Sequence, residues 1–178
     1  AINANGGWEG TQDFSKSQVT FGMQGRLSAK AYANTNLLAR LNILDYPFAL
    51  IRYLIGTDKN LEPYGAALPL ITLGIDRVKP EKDSARKQLL NDANAFTRFR
   101  FETTFRTLIA DIDNMPLHFN AAFRFFKELN APTIIRNANL DSFHYFTCSV
   151  TGNNTYFISY SYGKLPFDRN NNAVYAMG

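Results

Sequence analysis

Residues 84–129 dominate the predicted fold, and they read SARKQLLNDANAFTRFRFETTFRTLIADIDNMPLHFNAAFRFFKEL. This stretch holds eight of the fifteen phenylalanines of the chain, together with five arginines and two lysines. Most of its apolar residues recur at helical spacing, which predicts a helix over 84–113 and a second helix over 116–129. Pro116 would stop the first helix and suit the first turn of the second. The positions that define the apolar faces are Leu90, Phe101, Phe105, Leu108 and Ile112 in the first helix and Phe119, Phe123 and Phe126 in the second.

The segment from Phe96 to Phe101 fits this helical interpretation least well, because it places aromatic rings on more than one side. One explanation is a helix that is buried on two sides. The other is an exposed stacking platform for nucleic acid, in which bases lie on rings and guanidinium groups hold phosphates. The residues of that alternative nucleic-acid surface are Arg98, Phe99, Arg100, Arg106, Arg124 and Lys127.

The remaining elements complete a prediction of an α+β fold. Four leucines share one face of a helix predicted over 36–55. The stretch 142–162 alternates aromatic and β-branched residues with polar ones around Gly152-Asn153-Asn154, which predicts an antiparallel hairpin. We therefore expect one domain over 1–178, with an antiparallel sheet that contains this hairpin and packs against the three helices. An N-terminal arm over 1–16 and a C-terminal tail over 163–178 flank it.

Composition is typical of a globular chain with few charges. Hydrophobic residues make up 46%, aromatic residues 14% and charged residues only 19%. The net charge of +4 is spread along the chain, so the sequence is basic without a basic block, and it permits an anionic partner without arguing for one. No apolar run approaches the length of a membrane-crossing helix, so the sequence predicts no membrane span. Removal of an initiator methionine and cleavage of a signal peptide would both leave Ala1 first.

No motif of known chemistry occurs in the sequence. His144 and Cys148 would lie on one face of a strand but about 13 Å apart, which is too far for a nucleophile–base pair. Cys148 is the sole cysteine, so an intrachain disulfide and a multi-cysteine zinc site are excluded. Phosphate-binding loops, dinucleotide fingerprints and hydrolase motifs are also absent from the sequence. We predict no catalytic residue, no metal and no cofactor.

These observations favour a non-catalytic structural subunit of a larger assembly, such as a capsid, a filament, a tube or a multi-subunit complex. Its partners would be copies of itself or other subunits. The polar arm over 1–16 cannot form a core, so Trp8 and Phe14 are the predicted interface anchors. One alternative is a coat-like protein that binds nucleic acid through an Arg/Phe-rich helical surface. A second is an enzyme or ligand-binding domain whose site is assembled from distant residues.

Overall fold

The computed structural model describes residues 1–27, 42–59, 61, 69–82, 84–91, 94–152, 156–168 and 170–178. These residues form one eight-stranded antiparallel sheet with three short α-helices, so the predicted α+β fold with packed helices is wrong. The strands are β1 (Ile2–Gly10), β2 (Ser17–Leu27), β3 (Leu70–Lys82), β4 (Phe96–Ile112), β5 (Met115–Leu129), β6 (Ser142–Gly152), β7 (Tyr156–Gly163) and β8 (Asn172–Met177), and the helices are α1 (Tyr46–Ile55), α2 (Ser84–Leu90) and α3 (Thr133–Asn137).

The sheet is a meander in which every strand pairs with its neighbours in the sequence, in the order β1 to β8. Among the described residues β1 and β8 each have a strand on one side only, so they are the edges of the sheet. The predicted arm therefore contains the edge strand β1, and the predicted tail contains the edge strand β8. The hairpin predicted over 142–162 is present as β6 and β7, and its turn at Asn153-Asn154 lies outside the described residues.

The two long helices predicted over 84–113 and 116–129 are instead the strands β4 and β5, apart from α2 at Ser84–Leu90. The physical reason is an alternation of period two in the segment that fitted a helix poorly. In β4, Phe99, Phe101 and Phe105 occupy alternate positions and share one face, whereas Arg98 and Arg100 lie on the other. Over the segment from Arg98 to Glu102, a strand places the two rings on one face and the three charged side chains on the other, and a helix could not.

The turn between β4 and β5 accounts for Pro116 without a helix. Asp113 and Asn114 both have positive φ, at 53° and 63°, as a two-residue hairpin turn requires. Pro116 then lies next to the turn, opposite Asp111, where a missing backbone donor is tolerated. The helix predicted over 36–55 is present at Tyr46–Ile55 within the described part of the chain, and positions 36–41 lie outside it.

The sheet is strongly curled, which gives it a concave and an outward face. A flat sheet would separate β1 from β4 by three strand spacings, or about 14 Å. Yet Arg98 on β4 holds Glu9 on β1 at 2.8 Å, across β2 and β3. Beyond them, Lys16 in the first turn donates to the backbone carbonyl of Phe167 at 2.8 Å, so the segments next to the two edge strands meet at one end. We call this the proximal end, and the end with the Asp113–Asn114 turn the distal end.

A glycine permits the close approach beneath the curl. A Cβ atom at Gly22 on β2 would collide with the backbone carbonyl of Ile75 and with the carboxylate of Asp76. Any larger residue at this position would push β2 away from β3, so the packing of Asp76 on the concave face requires glycine here.

Candidate functional site

The outward face of the sheet is apolar and uncovered over most of its width. Phe21 is 67% exposed, Ile158 69% and Met177 84%. Cross-strand partners share a face, and the register therefore assigns a continuous set of large side chains to this surface. Its exposed members on β1, β2 and β3 are Ile2, Trp8, Val19, Phe21, Met23, Leu27, Leu73 and Ile75, and those on β6, β7 and β8 are Phe146, Val150, Tyr156, Ile158, Tyr162, Tyr175 and Met177.

The buried positions are mostly polar, which is the reverse of the usual arrangement in water. Among the described residues seven hydrophobic side chains are buried, against fourteen polar or charged ones. The buried hydrophobic residues include three alanines, so little apolar volume is removed from solvent. Water-soluble folds bury apolar residues and rarely expose large apolar patches, so this sheet departs from them in both respects.

A buried ionic cluster holds the concave face together near the proximal end. Arg98 donates to both carboxylate oxygens of Glu9, at 2.8 and 3.0 Å, and to Asp76 at 3.2 Å. The side chains of Arg98 and Asp76 are 3% and 0% exposed. Gln18 donates to Glu9 at 2.5 Å, and the guanidinium of Arg98 lies 4.7 Å from the ring centre of Phe126. Because each carboxylate of the cluster accepts a hydrogen bond from Arg98, the buried charges compensate one another and no acid is left unpaired.

Arg100 extends this cluster toward the distal end. It lies 3.6 Å from the second carboxylate oxygen of Asp76 and donates to Gln24 at 2.9 Å. A separate buried pair closes the proximal end, where Arg86 on α2 makes a bidentate contact with Glu128 at 2.7 and 2.9 Å. These contacts join β2, β3, β4 and β5 with α2 through charge-assisted hydrogen bonds, the strong class of such bonds.

Helix α1 shows the same inversion as the sheet. It packs on the outward face near the distal end, where the ring of Phe48 stacks on Phe119 with centroids 4.8 Å apart. Arg52, the large side chain it turns toward the sheet, is 0% exposed and pairs with the equally buried Asp45 at 2.8 Å. Its solvent side carries apolar residues instead, and Leu54 is 73% exposed. The helix therefore covers part of the apolar outward face of the sheet and exposes apolar side chains of its own.

Charges on the outward face are confined to its proximal end. Arg77, Lys79 and Lys127 lie there, and Lys127 pairs with Asp141. From these residues to the distal end, the outward positions of the described strands carry no Asp, Glu, Lys or Arg. Trp8 on β1 pairs with Val19 on β2, and Val19 pairs with Lys79 on β3, so Trp8 lies at the same level as Lys79. The outward face is thus an uncharged apolar band with a mostly basic border.

The turn beside this border is polar and ionised. Asp13 accepts hydrogen bonds from the side chain and backbone nitrogen of Ser15, at 2.8 and 3.2 Å. Hydrogen bonds from the Thr11 and Ser15 side chains lower the pKa of Asp13 to about 2. The turn over 11–16 therefore stays charged down to strongly acidic pH.

Two open cavities lie on the concave face. The first has a volume of about 230 Å³ and is lined by both acids and bases, namely Glu9, Arg100, Glu102 and Arg124, with Phe126 and residues 165–167. The second has a volume of about 280 Å³, and the described residues of its wall include no carboxylate. Its lining is Leu70, Thr104, Phe105, Arg106, Asn120, Ala121, Ala122, Thr147 and Ser149.

The structure separates the six residues of the predicted nucleic-acid surface. The helix that should carry them is absent, and strand alternation places Phe99 and Lys127 on the outward face, opposite the four arginines. Arg98 and Arg100 are engaged in the buried cluster. Arg106 and Arg124 are exposed on the concave face and make no ion pair with a described residue. Nucleic-acid binding by these residues stays a prediction, but it would need a surface other than the predicted helix.

Trp8 and Phe14 lie together at the proximal end. Their ring centres are 5.5 Å apart, and the residues are 50% and 62% exposed. Trp8 belongs to β1 and points outward, whereas Phe14 lies in the following turn at a φ of 54°. Both rings are accessible to a partner, and their role as interface anchors stays a prediction.

The structure also gives the positions of the residues that were considered for catalysis in the sequence. His144 and Cys148 both lie on the outward face of β6, where they are partners of Phe125 and Ala121. Within the described residues, no group of three or more His, Cys, Asp or Glu side chains could hold a metal ion. The residues that sequence reasoning missed are Glu9 and Asp76, whose partner Arg98 lies 89 and 22 positions away, and the pair of Asp45 and Arg52, which are 7 positions apart. Alternation of charge along β3 and β4 was the signal that could have found Asp76.

Comparisons with known proteins return no relative: no protein-family model, no curated protein and no solved structure matches the chain. In the described part of the chain, no helix has both the length and the apolar character needed to cross a membrane.

Proposed function

We propose that this chain is a non-catalytic structural protein whose sheet is embedded in a lipid bilayer, with its outward face against the hydrocarbon. The observation that carries the proposal is the inverted burial of the sheet. In water an exposed surface that includes Phe21, Ile158 and Met177 would be strongly unfavourable, at about 25 cal/mol for each Å² of apolar area. In hydrocarbon the exposure of the same apolar surface has no cost in free energy. Enclosing the polar groups is favourable there, because it keeps them out of contact with the lipid chains.

Strand length supports this environment. The strands β1 to β6 have between 9 and 17 residues, and a tilted strand needs about 9–11 to cross a bilayer. The apolar positions of β2 run from Val19 to Leu27, which corresponds to about 26 Å along the strand. At a tilt of about 40° that length covers about 20 Å of depth, compared with an apolar band of about 25 Å in sheets that cross a bilayer.

The residues at the border of the apolar band also support an embedding in a bilayer. Arg77 and Lys79 lie at the proximal end of β3, where they would meet lipid phosphates. Trp8 lies beside them, and indole rings favour the level of the headgroups because one edge is polar. Helix α1 fits the same environment, since it turns Leu54 outward and Arg52 inward.

A pair of arginine substitutions on β7 tests the proposal. Ile158 points outward and the adjacent Ser159 faces the concave side, so the two positions share nearly the same depth. In phosphatidylcholine vesicles we expect Ile158→Arg to lower the free energy of unfolding by about 2–4 kcal/mol, measured by urea titration. Ser159→Arg should cost far less, because its guanidinium reaches the polar interior.

The unchanged chain, refolded from urea with such vesicles, should float with them and resist extraction by alkaline carbonate. Equal stability of the two variants, or a chain that stays monodisperse in buffer without lipid and ignores the vesicles, would contradict the proposal. In water Ile158→Arg replaces an exposed apolar group by a charge and should be harmless, so the two environments give opposite expectations.

A second candidate is the predicted assembly of copies, and the edge strands favour it. The described parts of β1 and β8 each leave one row of backbone groups without a strand partner. Unpaired edges of this kind are templates for pairing with another chain. The two candidates are compatible, because strands in a bilayer must have their edges satisfied by something.

A further inference from the structure

The 280 Å³ cavity on the concave face differs from the rest of that face in its charge. Three other arginines of the concave face lie near acids: Glu9 and Asp76 face Arg98, Asp76 also lies 3.6 Å from Arg100, and Glu102 lies directly opposite Arg124. Among the described residues in the wall of this cavity, Arg106 is the one with a charged side chain. It is exposed and forms no ion pair with any residue that the structure describes.

The polar groups around Arg106 are placed to donate hydrogen bonds. Asn120 is its direct cross-strand partner, and its amide nitrogen donates to the hydroxyls of Ser149 at 3.5 Å and Thr151 at 3.3 Å, which leaves the proton of the Ser149 hydroxyl free to point at a ligand. The hydroxyl of Thr104 precedes Arg106 by two residues on the same face, and Thr147 lies across from Ala122. Hydroxyls and amides can turn a donor toward a ligand, and a guanidinium can only donate.

We propose that this cavity binds a small inorganic or organic oxyanion, with Arg106 as the charged anchor and the hydroxyls of Thr104, Thr147 and Ser149 as neutral donors. A guanidinium fork matches two oxygens of a phosphate or carboxylate group. The volume of about 280 Å³ limits the ligand to a small molecule. The ligand is a free oxyanion rather than a lipid headgroup, because the cavity opens on the concave side and the proposed lipid contact is on the outward side.

The cavity that contains Arg124 does not carry the same inference. Its wall holds Glu9 and Glu102, which would repel an anion and can compensate Arg100 and Arg124. Arg124→Gln is therefore a matched control on the neighbouring strand of the same face. Arg77→Gln is a second control, since Arg77 is exposed on the outward face.

Calorimetric titration of inorganic phosphate into the protein in maltoside micelles tests the site, because these micelles carry no phosphate of their own. Arg106→Gln should weaken binding by about tenfold or more, which is what one charge-assisted hydrogen-bonding group contributes. Arg106→Lys should retain part of the affinity, and Arg124→Gln and Arg77→Gln should each change it less than threefold or so. Circular dichroism of each variant checks that the sheet is intact.

The proposal fails if the unchanged protein does not bind phosphate at concentrations on the order of 10 mM, which lie well above the range of a specific site. It also fails if the Arg77 or Arg124 variant loses as much affinity as Arg106→Gln, since binding would then follow net charge. The choice of a free oxyanion over a lipid headgroup rests on the bilayer proposal, but the binding measurement does not, because it needs the folded sheet and not its insertion.

Discussion

Arg98 is the residue on which the packing of the concave face depends most. Its guanidinium satisfies two acids, Glu9 and Asp76, that come from strands distant in the sequence. Removing one partner of a buried ionic cluster leaves the other charges uncompensated, which costs more than the pair itself contributes. The same residue type at Arg77 is exposed and donates a hydrogen bond to Thr97 at 3.2 Å.

We therefore expect Arg98→Met to lower the free energy of unfolding by about 3–5 kcal/mol. Arg77→Met should change it by no more than about 0.5 kcal/mol, as is usual for exposed positions. Urea unfolding in micelles, followed by tryptophan fluorescence and circular dichroism, measures both. A small effect for Arg98→Met would mean that water reaches the cluster and hydrates the two acids.

At the scale of single elements, helix α1 is held to the sheet by polar contacts rather than by an apolar core. Arg52 donates to the backbone carbonyl of Leu108 at 2.6 Å and to Asp45, and the hydroxyl of Thr107 donates to Asp45. Phe48 adds ring contacts with Phe105 and Phe119. The docking of α1 should thus be unusually sensitive to the loss of a single hydroxyl.

Thr107→Val tests this attachment, because it keeps the shape of the side chain and removes the donor to Asp45. We expect a loss of about 1–3 kcal/mol, the cost of an unsatisfied buried polar group. Thr103→Val is the matched control on the same face of β4, where the hydroxyl makes no hydrogen bond with a described residue. Faster proteolysis of 42–59 in the Thr107 variant alone would report the detachment of α1, and equal rates in both variants would contradict it.

At the scale of the whole molecule, the free edges determine how copies can associate. Phe157 and Gly178 exchange two backbone hydrogen bonds, at 2.8 and 3.0 Å. By the alternation of an antiparallel ladder, the N–H groups of Val174 and Ala176 also point to β7, and those of Ala173 and Tyr175 point to the free edge. Replacing Tyr175 by proline therefore removes a backbone donor from the free edge and leaves the hydrogen bonds between β7 and β8 intact.

If copies associate through β8, Tyr175→Pro should shift the oligomer to smaller species, as measured by native mass spectrometry in micelles. Tyr175→Ala is its control, since it removes the ring, whose centre lies 5.0 Å from that of Tyr160, and keeps the backbone N–H. Val174→Pro should instead lower the stability of β8 itself, because it removes a ladder hydrogen bond. Unchanged oligomers in Tyr175→Pro would exclude β8 as the interface.

Local pattern alone was enough to predict part of this protein. The alternation over 142–162 predicts the hairpin of β6 and β7, and the apolar run from Phe48 predicts a helix that is present at Tyr46–Ile55. Both predictions rest on neighbours in the sequence. The same reasoning could also have found β4, where Arg98, Arg100 and Glu102 alternate with Phe99 and Phe101, but the helical spacing of the surrounding apolar residues outweighed that signal.

The tertiary structure alone decided which face of the sheet is enclosed. Alternation determines that Phe99 and Arg98 lie on opposite faces, and it leaves open which of them points inward. The choice depends on the curl that brings Glu9 to Arg98 over 89 positions of sequence, and on Gly22, which allows Asp76 beneath β2. Such contacts have no local signature, because their energy comes from partners that only the folded chain brings together.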